Sequence, residues 1–505
     1  MSELNPVRIA VIGAGAMGRN HIRFVTEEPE AELVAIADAF EGARATAEAA
    51  GVPFFTDPAQ MMDEVKPEAV IIATPNDLHL GVAREAVKRN IVPLVEKPIS
   101  NDLEDAQAFA AEAETAGVPV LVGQHRRHNP FVNKAKEIIE SGELGKLTVS
   151  SFHYMIYKND EYFDVEWRRK KGAGPILVNL VHDVDLLRYL LGEPVAVQGM
   201  QSSAARGFET EDSAVVNVRF ADGALASMTI SDATASPWNW EATAREDPQY
   251  RPFDADAYFI GGTKGALSLP RLHQMSYDGA SSWHKPLQMD IPAVDPALPH
   301  KMQLKHFVRV VRREKAPVVT PADNVKTLRC LNAVKQAAET GEHIRQAGIE
   351  FDAILCSPLG RVIQTLECAL PERAAQGFET SDGLMEINFG SLDGKKHVEG
   401  QPTSPFLDKF LAYGGESEDE VERRVCAALD ELMSRPDVHS ALAVSHGTTG
   451  RIFRNHWAAL ARVEAPRHLA NCSLYTYEFD EDAHTFSLVD IYEPASATNP
   501  EDFKR

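Results

Sequence analysis

Cysteine is scarce in this chain: there are five in 505 residues, at positions 330, 356, 368, 426 and 472. They form no CxxC pair and their number is odd. This argues against a disulfide framework or a cysteine-based metal site and predicts a reducing, cytoplasmic setting, with no metal. Long apolar runs are missing too; none approaches the roughly 20 residues needed to cross a bilayer. The opening Met-Ser-Glu-Leu-Asn-Pro has no basic segment followed by an apolar one, so no secretory signal is expected. Positive charge is in deficit, with 51 Lys and Arg against 74 Asp and Glu and a formal net charge of −23. Such a surface repels nucleic-acid backbones and anionic lipid heads, which leaves small molecules as the expected partners.

What is present is punctuation for a multidomain α/β chain. At roughly 100–200 residues per domain, the length predicts about three domains. Residues 7–18 read VRIAVIGAGAMG: a strand-like apolar run, then Gly13-x-Gly15-x-x-Gly18, then a helical stretch. In such a loop the first glycine makes the turn and the second lets the backbone approach a pyrophosphate. The third lets the helix pack on the strand, and the helix N-terminus faces the phosphates. A second strand over 33–37 ends at Asp38, twenty residues after Gly18. An acid at that place accepts the ribose hydroxyls of NAD and repels the 2′-phosphate of NADP, so NAD is expected in preference.

Strand–helix alternation continues, with strands at 69–73, 91–95 and 118–122 and a helix through 116 that Asn101 and Glu104 are expected to cap. This predicts a doubly wound parallel sheet, whose ligands lie beyond the carboxyl ends of the strands. Thr74, Pro75, Asn76, Glu96 and Lys97 stand at such ends, and His79 follows closely. From about residue 126 the pattern changes to a helix over 133–140, a helix containing His182, Asp183 and Asp185, and alternating strands at 147–154, 213–220 and 224–231. Asp222-Gly223 between the last two is a hairpin signal.

Taken in order, GAGAMG, ATPNDLH, EKP and VGQHRRHNP resemble the Gfo/Idh/MocA family of NAD(P)-dependent oxidoreductases, over about residues 5–343. The resemblance implies a Rossmann domain over 1–124. A substrate domain over 125–344 would follow, built on an open, largely antiparallel sheet through which subunits associate as a homo-oligomer. It implies cofactor contacts from Gly13, Gly15, Ala16, Met17, Gly18, Asp38, Thr74, Pro75, Asn76, His79, Glu96, Lys97 and Arg127. It also places Lys97 beside nicotinamide and substrate. Oxidising a carbinol requires a base for the hydroxyl proton, which makes His182 a candidate alongside Lys97, and either can be the immediate acceptor. Asn179, His182 and Asp183 are the expected substrate contacts, while Asp185 is expected on the helix surface. Many relatives have an aspartate four residues before the histidine; here that position is Val178, which leaves the polyol or sugar substrate open. The Trp238-Asn239-Trp240 run and Tyr258 are either a sugar platform or core.

The stretch after Gly341 carries a second set of motifs: FDAILCSPLGR, Glu386-Ile387-x-Phe389-Gly390, Gly414-Gly415-Glu416-Ser417 and Ala443-Val444-Ser445-His446-Gly447. These resemble the histidine phosphatase (phosphoglycerate mutase-like) superfamily over about 346–490, within a third domain at 345–505. The resemblance implies a phosphate clamp at Arg361, a general acid at Glu386 and a phosphate-pocket histidine at His446. The superfamily's Arg-His-Gly nucleophile occurs nowhere in the chain, so this α/β domain is incomplete, lacking its first strand, and is expected to be inactive. Two other readings stand beside the oxidoreductase: an NAD-binding sensor or scaffold without catalysis, and phosphate-ester binding or hydrolysis by the tail.

Overall fold

The computed structural model describes residues 5–246, 249–346, 349–392, 407–466 and 472–494. Three parts of the phosphatase-like stretch (347–348, 393–406 and 467–471), the end of the tail (495–505) and the side chains of Gln364 and Cys368 lie outside the described residues. The chain divides into two compact units. The first is Met1–Val195 with Ser203–Ala214 and Val218–Leu331; the second is Ala196–Ser202 with Val215–Asn217 and Asn332–Arg505.

In the first unit, β1 (Val7–Ile12), β2 (Ala31–Ala37), β3 (Phe54–Phe55), β4 (Ala69–Ile72), β5 (Val92–Val95) and β6 (Leu121–Val122) form a parallel sheet. Its order is β3-β2-β1-β4-β5-β6. β4 and β5 are buried along their whole length, as unbroken apolar runs covered by helices on both faces must be. The winding reverses between β1 and β4, which opens a crevice at the carboxyl ends of the strands. The helix Leu103–Ala116 is capped by Asp102, whose side chain accepts the N–H groups of Glu104 and Asp105. The expected cap, Asn101, instead donates to Asp77 and accepts from Asn76, drawn off by polar partners in the adjoining loop.

A second sheet contains β7 (Leu147–Met155), β8 (Pro194–Ser202), β9 (Ser213–Phe220), β10 (Leu225–Ser231), β11 (Tyr258–Gly262), β12 (Gly265–Leu269), β13 (His273–Ser276) and β14 (Gln288–Asp290). Its order is β14-β13-β12-β11-β7-β10-β9-β8, antiparallel from β14 to β7, with β7 and β10 parallel. β9 alternates buried and exposed residues, the mark of a sheet with one covered face. At Asp222-Gly223 the chain reverses: Gly223 has φ +89° and donates to Phe220, which in turn donates to Ala224. The helix Leu180–Leu191 packs against β7 and is buried at ten of its twelve residues. Trp240 stacks on Tyr258 with both rings fully buried, so these two are core; Trp238 alone of the aromatic group is exposed.

The second unit holds β15 (Ala353–Cys356) between β16 (Glu379–Thr380) and β17 (Ala441–Val444) in a parallel sheet. A separate hairpin joins β18 (Leu474–Asp480) and β19 (Thr485–Tyr492). One helix, Pro321–Gln346, leads in, and its Ile344 shares a core with Ile354, Cys356 and Val362. β17 pairs with β15 on one edge only, and none of its four residues is buried, whereas three of the four in β15 are. A strand paired on both sides is buried like β4; among the described residues, β17 keeps a bare edge.

Candidate active site

The glycine loop is dictated sterically. Gly13 sits at φ +93°, and a Cβ there would lie 2.5 Å from the Ala73 carbonyl oxygen. At Gly18, in the helix Ala16–Glu27, a Cβ would lie 1.8 Å from the Gly13 oxygen. Gly15 differs, because nothing lies within 4 Å of its missing Cβ. Its backbone is therefore open where a pyrophosphate would approach the helix N-terminus, next to exposed Ala16 and partly buried Met17. Asp38, just past β2, accepts the Ala14 N–H at 2.7 Å and the Phe40 N–H at 2.8 Å, which fixes its carboxylate beside the loop. At the end of β4 the Thr74 hydroxyl is buried without a hydrogen-bond partner, and Pro75 and Asn76 follow it at the crevice. An open glycine backbone, an orphaned hydroxyl and a fixed acid fit a bound dinucleotide.

Behind that rim, three more of the residues expected at the cofactor have partners within the protein. His79 is buried, with its ring nitrogens 2.9 Å from the carbonyl oxygens of Thr74 and Pro98, so it ties the β4 and β5 loops together. The Glu96 carboxylate meets His21 at 2.7 Å in the interior. Burial alone would raise this carboxyl, but the His21 hydrogen bond holds it below the usual value. Arg127 is buried between Asp185, at 2.7 Å, and Asp323, at 2.8 Å. Asp185 is thus interior rather than on the helix surface, because it neutralises a buried guanidinium.

Lys97 follows Glu96 and is half-buried. Burial is the largest influence on its ammonium and holds it below the ordinary lysine value, with Glu96 opposing. His182 is 8 % exposed, and its Nδ1 has no hydrogen-bond partner. Burial, then the nearby Lys97 ammonium, then Arg126 keep this imidazole well below its usual pKa, so it is neutral and able to accept a proton. Two histidines without an expected role surround it. The His125 ring lies 5.0 Å from His182, edge to face, and stacks on His300 at 4.0 Å. His125 falls inside the VGQHRRHNP motif, whereas nothing local marks His300, which a helix some 170 residues further on brings in.

Asp183, the residue after His182, points into a buried network. It accepts from Tyr258 and lies 3.5 Å from Arg126, which also reaches Tyr258 at 3.2 Å and Glu241 at 2.7 Å. Burial pushes the Asp183 carboxyl up to about 6 against the pull of Arg126. Asn179, one turn before His182, accepts from the Lys158 ammonium at 2.9 Å. Next to it stands the apolar Val178.

Burial holds His125, His128 and His182 below the usual value of 6.5, with His128 at about 3. They stay neutral when folded, while the unfolded chain protonates them below about 6.5, so stability is present above that pH and is lost as pH falls. Asp183, raised to about 6, acts in the opposite sense within the same interval, as does the raised Glu246, and the two offset the three histidines only in part. The thermal midpoint is therefore expected to drop by a few degrees between pH 7.5 and 5.5. His128→Asn should flatten this dependence; an unchanged slope would contradict it.

In the second unit, two of the three expected phosphate residues, Arg361 and His446, are in contact at the end of the sheet. Arg361 Nη2 lies 3.1 Å from His446 Nδ1, and Ser357 Oγ lies 2.9 Å from His446 Nε2. A guanidinium only donates, so Nδ1 is the acceptor and Nε2 carries the proton. Burial, followed by Arg361 and Arg424, lowers this imidazole to about 4. Glu386 meets the same helix through Thr449 at 3.4 Å. Among the described residues Cys330, Cys356, Cys426 and Cys472 are free, no His/Cys/Asp/Glu group is arranged to hold a metal, and no helix is long and apolar enough to cross a membrane.

Comparison with known proteins bears on the family of the chain. Residues 7–124 match the oxidoreductase family model with an NAD-binding Rossmann fold, and 132–268 match the GFO/IDH/MocA C-terminal domain. Residues 332–491 match branch 1 of the histidine phosphatase superfamily. The chain is 28% identical to scyllo-inositol 2-dehydrogenase (NAD(+)) of Bacillus subtilis, over 63% of this chain and 90% of that one. It is 25% identical to D-apiose dehydrogenase of Paraburkholderia graminis, over 68% and 91%. The WlbA dehydrogenase of Bordetella pertussis, solved with NADH and UDP-GlcNAcA, shares the fold at a TM-score of 0.53 and 24% identity, over 66% of this chain and 97% of that one. With its glycine loop, its strand-end lysine and both family domains in place, the chain is an NAD-binding oxidoreductase of the GFO/IDH/MocA family that acts on CH–OH groups and carries a histidine phosphatase superfamily domain behind it.

Proposed function

We propose that the first unit moves a hydride between NAD and a carbinol carbon of a polyol, sugar or sugar-derived carbonyl compound, with Lys97 and His182 handling the hydroxyl proton. The observation that carries this reading is a neutral, buried His182 with Nδ1 unengaged, under the influence of the Lys97 ammonium. NAD, when bound, supplies the hydride acceptor. Gly13, Gly15, Gly18 and Asp38 seat it, and Ala16, Met17, Thr74, Pro75 and Asn76 line the rim. His79, Glu96 and Arg127 hold the strand ends still. At the reacting carbon, Lys97 stabilises the developing alkoxide and His182 is placed to take the proton, or Lys97 takes it with His182 as relay. Asp183 acts on His182 through the helix they share rather than through substrate. A panel of polyols, sugars and their acids, followed by NADH absorbance on the full chain, tests this reading. Tight NAD binding without turnover of any member would favour a sensor instead.

The tail is proposed to be catalytically silent towards phosphate esters. It has no Arg-His-Gly nucleophile, and both nitrogens of His446 are occupied by Arg361 and Ser357. No phosphate release from an aryl phosphate is expected. Steady release abolished by His446→Ala, Arg361→Ala or Glu386→Gln would overturn this. The exposed side of the second sheet, with Val149, Leu225 and Phe259 on its surface, is the proposed homo-oligomer contact. The free thiols suit a cytoplasmic setting.

A further inference from the structure

The strand β7 carries the chain past Met155 to Lys158, whose backbone N–H donates to Asp232. The Lys158 ammonium, with its side chain only 12 % exposed, lies 2.9 Å from Asn179 Oδ1 and 3.3 Å from Asp232 Oδ2. Arg206 takes the other oxygen of that carboxylate at 3.2 Å and also donates to the Lys158 carbonyl at 2.8 Å. One buried carboxylate is thus shared between two cations. A third cation, Arg168, lies 4.1 Å over the Tyr162 ring and donates to the Tyr162 carbonyl. It has no carboxylate partner among the described residues, and its Nε is buried without a hydrogen bond.

The other acids nearby do not cancel this excess. Asp212 accepts the N–H groups of Ala205 and Arg206 and the hydroxyl of Ser213. Asp160, 93 % exposed, reaches Arg206 only at 3.9 Å. Burial above all holds the Lys158 ammonium below its usual value, against Asp232, and the charges of Arg206 and Arg168 add to it, so an added anion would stabilise the charged form.

Donors remain for such an anion. An ammonium has three N–H groups, of which Asn179 and Asp232 take two, and Asn179, by accepting through Oδ1, leaves its amide N–H₂ to donate. Their place matters. Asn179 stands one helical turn before His182, whose N–H faces the Asn179 carbonyl at 3.4 Å, so the two side chains share a face at about 5–6 Å. Exposed Tyr157, next to Lys158, and exposed Trp238, bonded to Met155, stand at the same strand end.

We propose that Lys158, with Asn179 and Arg168, forms a carboxylate subsite, and that the substrate is a sugar acid or polyhydroxy acid whose carboxylate docks there while a carbinol carbon lies at His182. This rests on the oxidoreductase reading above. It also gives the Val178 departure a consequence: where that position cannot carry a charge, the neighbouring Asn179 and its lysine present donors instead of an acid.

The test pairs each acid with its uncharged counterpart: D-gluconate with D-glucitol, D-galactonate with galactitol, and D-glucuronate with D-glucose. Binding to the NADH-loaded full chain is measured calorimetrically, and turnover is measured with NAD. At least one acid is expected to bind tenfold or more tightly than its partner. Lys158→Met should abolish that difference by weakening the acid, Lys158→Arg should restore part of it, and Arg168→Met should reduce it. Acids that bind no better than their partners, or a Lys158→Met that weakens both members equally, would overturn the subsite. Selective acid binding without turnover of any compound would leave the subsite standing and refute the oxidoreductase reading; turnover of neutral polyols alone would do the reverse.

Discussion

Lys97→Met is expected to lower turnover of the substrate by about a thousandfold, the range spanned by removing a positioned proton-transfer group together with the charge that stabilises an alkoxide. Methionine keeps the length and apolar body of the side chain, so packing at the end of β5 survives. The ammonium it removes is one that burial already disfavours. The thermal midpoint is accordingly expected to hold or rise. Losing Lys97 also takes away the second-largest influence holding the His182 imidazole down, so the pKa of His182 should climb and the pH profile of the residual activity should move upward. A loss smaller than tenfold, or a variant that fails to fold, would contradict the role given to this residue.

Arg126→Met should cost stability rather than chemistry first. Arg126 is 3 % exposed and serves Asp183, Tyr258 and Glu241 at once. Removing one partner of a buried ion cluster leaves the others charged and unpaired, a penalty of about 3–5 kcal/mol. Asp183, already lifted to about 6 by burial, would rise further without the guanidinium and be protonated at neutral pH. The denaturant midpoint is therefore expected to fall steeply, and Arg126→Met combined with Asp183→Asn should recover part of the loss because the carboxyl that folding forces to take up a proton has gone. Additive losses in the double variant would show that the cluster is not coupled as described.

Some of this was legible without coordinates. Gly13 and Gly18 are demanded by contacts with the chain's own backbone, so their spacing alone announces the loop, and Asp38 is placed by the strand that precedes it. Lys97 was legible for the same reason: a strand end in a parallel sheet faces the crevice. The cap of Leu103–Ala116 was misplaced by one residue because Asn101 and Asp102 are equally suited to the task, and a neighbouring loop chose between them. Arg127 read as a cofactor contact from its motif, Asp183 as a substrate contact beside His182, and Asp185 as a residue of the helix surface. Burial and one another's charges turned them into a frame.

The sequence by itself determined the local devices: a nucleotide loop, a lysine at a strand end, a histidine on a helix, and a phosphatase-like tail without its nucleophile. These depend on steric demands and short-range order that a few neighbouring residues satisfy. Tertiary structure alone decided which polar groups are spent on each other and which remain for a ligand. His300 joins His125 from a distant helix, Asp232 is divided between Lys158 and Arg206, and among the described residues β17 pairs with one strand. Hydrogen bonds and charge pairs between distant segments exist only once burial has brought their elements together. Spacing along the chain therefore carries no record of them.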